Sequence, residues 1–224
     1  MIYVMSDIHG QYSKFLEMLK RIDFNELDVL YILGDIIDRG PKNLEMIQYV
    51  MSHKNIKMLL GNHEDMFLKA INNRNSYDEA LWYQNGGYTT DKQIQNISNK
   101  ELKDIKLFFE NLPLEIFLTV NDKNFWLVHG NYVTEKEKKK FSKSKYRETL
   151  IWGRIKVEDE GPNDKIVLFG HTPTYKYYGK EYPLKIWKNK NVIGLDCGMA
   201  AYYKNNDIYR LACLRLDDMT EFYV

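Results

Sequence analysis

Cysteine is nearly absent from this chain: Cys197 and Cys213 are the only two in 224 residues. Two are too few for a disulfide framework or a thiolate metal site. Long apolar runs are missing as well. No stretch approaches the about 18 apolar residues that a membrane-spanning helix needs, and Ser6 and Asp7 interrupt the N-terminus before a signal-peptide core could form. An excess of one charge is also lacking, because 32 Lys and Arg face 31 Asp and Glu for a net charge of +1. Such a chain has no bulk field with which to hold nucleic acid or an anionic membrane. Internal repeats, low-complexity tracts and Pro/Ser-rich linkers do not occur. These absences predict a cytoplasmic protein with no nucleic acid and no membrane as partner, folded as a single domain over residues 1–224.

Short apolar runs recur at Ile2–Met5, Val29–Leu33, Ile56–Leu60, Phe125–Val128 and Ile166–Phe169. They show little polar alternation, the pattern of strands covered on both faces in layered α/β folds. Helical periodicity falls between them. Gln11–Ile22 lines up Phe15, Leu16, Met18, Leu19 and Ile22, Pro41 is placed to open a second helix, and a third begins near Asn62 with Met66, Phe67, Ala70 and Ile71 on one side. Residues 77–112 read as a helical insertion, with a capping box at Ser98–Glu101. Leu114–Val120 and Phe125–Val128 flank the turn composition Asn121–Asn124 and predict a hairpin. The chain from Lys165 onward reads as strand-rich.

Five apolar runs end on polar residues beside glycine: Asp7-Ile8-His9-Gly10, Gly34-Asp35, Gly61-Asn62-His63, His129-Gly130 and Gly170-His171. Strands sharing one sheet system would bring these ends to one edge, where α/β folds place ligands. Asp7 and His9, two apart on an extended chain, would face the same way. Carboxylate, imidazole and amide oxygen without thiolate suit manganese, iron or zinc. A lone histidine is more often a satisfied core residue than a ligand, but here that explanation must hold four times, and only His53 lies away from a glycine junction. Gly34–Pro41 adds Asp38 and Arg39, a carboxylate that can orient an imidazole and a guanidinium fork suited to phosphate oxygens, or else a local ion pair.

Together, SDIHG, GDIIDRG, GNHE and two later histidines resemble the phosphoprotein phosphatase family of metallophosphoesterases, whose fingerprint is GDxHG, GDxxDRG and GNHE. Asn85-Gly86-Gly87, Ile151–Arg154 and Phe169–Pro173 are similar to its bacterial and bacteriophage branch, typified by lambda phosphatase. Ser6 stands where the family usually has glycine and Leu60 where a basic residue is frequent; neither change removes a ligand. The resemblance implies a four-layer α/β/β/α sandwich. It implies two divalent ions, manganese first with iron or zinc as alternatives, one held by Asp7, His9 and Asp35, the other by Asp35, Asn62, His129 and His171, with Asp35 shared. It assigns His63 as the acid, Asp38 as its orienting partner, and Arg39, Arg154 and Asn62 to phosphate.

The implied activity is hydrolysis of phosphate monoesters by a metal-bridging hydroxide without a phosphoenzyme, on a phosphorylated protein or a small phosphoester. A symmetrical dinucleoside tetraphosphatase is the alternative; Asp38 and Glu64 argue against it, because that branch commonly has alanine and GNHD there. A non-catalytic binding module on the same fold is the third reading. Two further features stay open. Lys136, Lys138, Lys139, Lys140, Lys143, Lys145 and Arg147, opposed only by Glu137, form a solvated loop or a flap that attracts polyanions, alone or as a substrate-choosing cap with the insertion. Tyr83, Tyr132 and Trp152 line a groove beside the site or pack a core.

Overall fold

The computed structural model describes residues 1–179, 183–204 and 208–224, with no side chain described at 202–204. Strands β1 (Ile2–Met5), β2 (Val29–Ile32) and β3 (Ile56–Met58) run parallel, and the C-terminal hairpin of β9 (Ala212–Arg215) and β10 (Thr220–Tyr223) joins antiparallel to β1. The sheet order is β10-β9-β1-β2-β3. A second sheet holds β4 (Glu115–Val120), β5 (Lys123–Val128), β6 (Ile166–Phe169), β7 (Trp187–Asn189) and β8 (Val192–Gly194) in the order β4-β5-β6-β8-β7. Here β5, β6 and β8 are parallel, with an antiparallel strand at each edge.

Burial on both faces explains why the strands lack polar alternation. Along β1, Tyr3 and Met5 enter one core while Val4 enters another; along β5, Phe125 and Leu127 part from Trp126 and Val128 in the same way. Among the described residues three cores result, one between the sheets and one outside each. A one-residue register slip would exchange the two faces of a strand, so size and shape on each side hold the pairing.

Helices α1 (Tyr12–Arg21), α2 (Asn43–Ser52) and α3 (Asn62–Asn72) contribute Phe15, Met46 and Phe67 to the core outside the first sheet. The insertion forms three helices, α4 (Tyr77–Gln84), α5 (Tyr88–Ile94) and α6 (Asn99–Glu110), and docks on the same core through Trp82, Ile94, Ile105 and Phe109. Ser98 Oγ accepts the Glu101 N–H at 3.1 Å, one half of the predicted capping box, while the Glu101 carboxylate accepts instead from Gln48 Nε2 at 2.6 Å.

Three local expectations are corrected. Pro41 does not open α2, which begins two residues later at Asn43 after Lys42. The hairpin turn is tighter than Asn121–Asn124: Asn121 and Asp122 both take positive φ, 46° and 62°, which suits a two-residue turn matched to strand twist, so β5 starts at Lys123. The basic stretch is largely helical, forming α7 (Glu135–Lys138) under a Thr134–Glu137 capping box and the first turns of α8 (Lys143–Trp152). Beyond it lie α9 (Tyr175–Tyr178) and a 3-10 turn, Met199–Lys204. Among the described residues no helix is long and apolar enough to cross a membrane.

Candidate active site

The loops leaving β1, β2, β3, β5 and β6 converge between the sheets. Asp7, His9, Asp35, Asp38, Asn62, His63, His129 and His171 are all buried there. The two-residue spacing predicts an extended chain at Asp7 and His9, but both sit at positive φ, 51° and 48°, because the chain bends sharply beyond β1. The bend still delivers both to the site. Two glycines permit the close approach of neighbouring loops: a Cβ at Gly61 would overlap Asp35 Oδ1, and one at Gly170 would overlap Ser6 Oγ and Asp7 Oδ2.

Among the described residues two groups of metal-capable atoms form, His9 with Asp35 and His63, and Asp35 with His129 and His171, each within 4.8 Å of one another. Asp35 belongs to both. Asp7 joins neither group; its oxygens accept the His171 N–H at 3.1 and 2.9 Å, and it lines the cleft beside them.

Hydrogen bonding tests whether a cation fits. The Leu33 carbonyl can only accept, so His129 Nδ1, 2.7 Å away, carries the proton and Nε2 presents a lone pair. That lone pair faces Asn62 Oδ1 at 2.9 Å and Asp35 Oδ2 at 3.4 Å, both acceptors. His171 Nδ1 lies 2.8 Å from the same Asn62 oxygen, and its Nε2 has no partner. His9 is arranged in a related way, with Nδ1 2.9 Å from the Ile37 carbonyl and Nε2 3.8 Å from Asp35 Oδ2, but here Arg39 Nη1 donates to Nε2 at 3.0 Å. Lone pairs crowded on one another in a dry site suit a shared cation, and carbonyl bonds of this kind fix the tautomer of a ligating imidazole. Burial first, and then Arg39, hold His9 well below the usual imidazole range, which keeps that nitrogen unprotonated.

Beside these groups, His63 Nδ1 lies 2.6 Å from Asp38 Oδ2, while its Nε2 faces Asp35 Oδ2 at 3.9 Å. Burial pushes Asp38 up to about 7, opposed by bonds from Thr90 and Trp82 and by Arg39. The same burial, with Arg39 and His129, pushes His63 down. Asp38 and Arg39 are consecutive residues at positive φ, 73° and 67°, each costing about 1–3 kcal/mol, so the surroundings must hold them there. The Asp38–Arg39 unit is not a simple local ion pair: Asp38 turns to His63, and Arg39 Nη1 lies 3.0 Å from His9 Nε2.

Arg39 and Arg154 line one cleft of about 980 Å³ together with Asp7, Asp35, Asn62, His63 and His171. Arg154 is anchored by Nη1 bonds to the His171 carbonyl at 3.3 Å and Thr172 Oγ1 at 3.0 Å. Arg147, by contrast, pairs with buried Asp65 at 2.6 Å. Of the three groove candidates, Trp152 lines the cleft and meets the His171 ring edge-on at 6.1 Å. The other two turn elsewhere, Tyr132 against Trp126 and Tyr83 to Asp91.

Two residues with a place in the site were given no role in it by sequence reasoning. Asp196, buried beyond β8, also lines the cleft; burial and then Asp7 hold its carboxyl well above the usual range. It stands in Gly194-Leu195-Asp196-Cys197-Gly198, a sixth apolar run ending on a polar residue, here two positions from a glycine on either side. Glu64 is the second. Its carboxylate accepts the N–H groups of Asp35 at 2.9 Å, Ile36 at 2.9 Å and Gly61 at 3.1 Å, pinning the loop that carries Asp35.

Comparison with known proteins agrees with this geometry. The family model of the calcineurin-like phosphoesterases matches residues 1–197. Serine/threonine-protein phosphatase 2 of Salmonella typhimurium is 32% identical over 157 residues, covering 70% of this chain and 69% of that one. A symmetrical bis(5'-nucleosyl)-tetraphosphatase of Buchnera aphidicola is 44% identical over 89 residues, covering 36% of this chain and 32% of that one. Among solved structures, a protein provisionally named a diadenosine tetraphosphatase superposes with a TM-score of 0.68 at 16% identity, covering all of this chain and 92% of that one. A serine/threonine phosphatase of Saccharomyces cerevisiae gives 0.60 at 15%, covering all of this chain and 78% of that one. At such identities the two superpositions speak for the fold.

Proposed function

The chain belongs to the calcineurin-like phosphoesterase family, and from that premise we propose that it is a serine/threonine-type protein phosphatase carrying two divalent ions, manganese in the first instance. Residues 1–224 act as one catalytic domain. His9, Asp35 and Asp7 hold one ion, and Asp35, Asn62, His129 and His171 hold the other. Bound there, the ions supply charge neutralisation at the phosphoryl oxygens and an attacking water acidic enough for neutral pH.

The observation that carries this reading is the Asp38–His63 pair. With Nδ1 held by Asp38 at 2.6 Å, the other nitrogen of His63 is the one free to carry a proton into the cleft that Asp35 also lines. A serine or threonine alkoxide leaves poorly without a proton, whereas a nucleotide leaving a phosphoanhydride needs little help. An oriented imidazole acid is therefore worth most on an alkyl monoester. Arg39 and Arg154 offer donors for the equatorial oxygens, where charge must be stabilised as the bond breaks. The relative from Salmonella, matched over two thirds of both chains, supports the same choice.

The tetraphosphatase reading is favoured by several relatives of that name, each matched over about a third of this chain or less, with 44% identity over 89 residues in the Buchnera protein. Initial rates on a phosphothreonine peptide and on diadenosine tetraphosphate, with manganese and a chelator control, separate the two. Peptide turnover abolished by chelator is the expected result. Dominant nucleotide turnover would transfer the protein to the second class, and activity on neither with two ions bound would make it a binding module.

A further inference from the structure

The helical insertion reaches the site through four residues, Trp82, Asn85, Gly86 and Thr90, that belong to neither group of metal-capable residues. Thr90 and Trp82, both fully buried, meet the Asp38 carboxylate on its two different oxygens. Thr90 Oγ1 donates to Oδ1 at 2.5 Å, and Trp82 Nε1 donates to Oδ2 at 2.9 Å, the oxygen that also faces His63 Nδ1. The Thr90 hydroxyl in turn accepts the Asp38 N–H at 3.1 Å, so one hydroxyl holds both the backbone and the side chain of a residue at positive φ. Next in the chain, Arg39 gives its N–H to the Gly86 carbonyl at 3.1 Å and its Nε–H to the Asn85 carbonyl at 3.2 Å.

This contact is itself buttressed. Trp82 stands edge-on to Phe67 at 5.5 Å, and a Cβ at Gly87 would overlap its indole. Beside Thr90, Asp91 is tied to Arg74 at 2.7 Å, Tyr83 at 2.6 Å and Gln95 at 2.9 Å, which binds α4 and α5 together. A carboxylate is otherwise free to rotate about its terminal torsion, and rotation would carry Oδ2 away from His63. Donors on both oxygens fix its plane.

We propose that Trp82 and Thr90 are positioning residues for proton delivery, holding Asp38 in the plane that aims His63 into the cleft. The insertion is thus part of the catalytic apparatus. The inference rests on His63 being the acid, and the experiment separates the two claims. Thr90→Val, Thr90→Ser, Trp82→Phe and His63→Asn are made in the full chain, loaded with manganese, and assayed on a phosphoserine peptide and on para-nitrophenyl phosphate, whose leaving group needs no acid. Thermal midpoints and manganese content are recorded for each.

Thr90→Val and Trp82→Phe should lose about 10- to 100-fold in kcat on the peptide, the usual cost of removing an orienting partner, with KM little changed. Their loss on the aryl substrate should be under about threefold, and Thr90→Ser should recover most of the peptide activity. Equal losses on both substrates, or no rescue by serine, while His63→Asn remains selective for the peptide, would overturn the positioning role and leave the acid role standing. An unselective loss in His63→Asn would end both. Should Thr90→Val fail to fold, Trp82→Phe, which keeps a buried ring, carries the same comparison.

Discussion

Two walls of the cleft are built in different ways. The strand-end loops place chemistry in residue identity: Asp35, His129 and His171 bring metal-capable atoms together, with Asn62 Oδ1 against both imidazoles, where glycines let neighbouring loops close in. The insertion wall places it in position. Trp82 and Thr90 titrate nothing and bind no ion, yet they hold the carboxylate that faces His63, and the Asn85 and Gly86 carbonyls seat Arg39. Loss of a donor atom should therefore abolish the first wall outright, whereas damage to the second should appear only where proton transfer limits the rate.

The largest effect belongs to the shared carboxylate. Asp35→Asn removes a charged ligand common to both clusters, and we expect fewer than two ions per chain and a fall in kcat of at least about 10³-fold, beyond what loss of one neutral stabilising donor costs. Metal analysis by mass spectrometry showing both ions retained would defeat the shared-ligand assignment. His63→Asn comes next, at roughly 10² to 10⁴ on alkyl phosphoesters and less on activated aryl phosphates, with the ions retained. If His63→Asn instead lost metal as Asp35→Asn does, His63 would belong to the first wall as a ligand, a role its nearness to His9 and Asp35 leaves geometrically open.

The unequal legibility of the walls has the same origin. Ligand types beside glycine stand out in a sequence, so Asp7, His9, Asp35, Asn62, His129 and His171 can be named as candidates before any fold is known, and most strands of the parallel cores can be placed. The alternation of Tyr3 and Met5 against Val4 cannot, because both faces are apolar and only packing tells them apart. Thr90 looks like any polar residue on a short helix, and its role depends on a contact 52 residues away. Asp196 was within reach, since its run comes close to the pattern of the other five junctions. The bend at Asp7 and His9 was not, because nothing local marks a non-glycine residue for positive φ; the packed loops impose it.

Glu64→Gln sharpens the contrast from the first wall's own support. Its carboxylate accepts three backbone N–H groups, and a glutamine must turn its amide nitrogen toward at least one of them. Burial and nearby Asp35 push Glu64 up to about 8, while the bonds from Asp35 and Ile36 favour the anion. An unpaired buried donor costs about 1–3 kcal/mol, so the thermal midpoint should drop by about 2–12 °C for a chain of this size. Activity at a temperature where the variant is folded should fall on alkyl and aryl substrates alike, because the Asp35 loop serves both. An unchanged midpoint would mean that the three bonds add nothing over solvent and that the loop is held by packing alone.

The smallest effect is expected from the basic stretch, which is composed like a docking surface for polyanions. Lys136 and Lys140 line a separate pocket with Asn131, Tyr132 and Glu137, and no lysine of residues 136–147 is among the described residues lining the cleft. Lys138 and Lys145 face Glu115 and Glu148 on their own side of the fold. Replacing Lys136, Lys139 and Lys140 by serine should therefore change kcat/KM on a phosphothreonine peptide by less than about twofold at physiological salt, where the screening length is about 8 Å. A somewhat larger loss at low ionic strength fits long-range steering of an anion and vanishes as salt is added. A peptide-selective loss that survives physiological salt is a different matter: it would put these lysines against the bound substrate and give the cleft a third wall, one that acts through charge rather than through ligation or position.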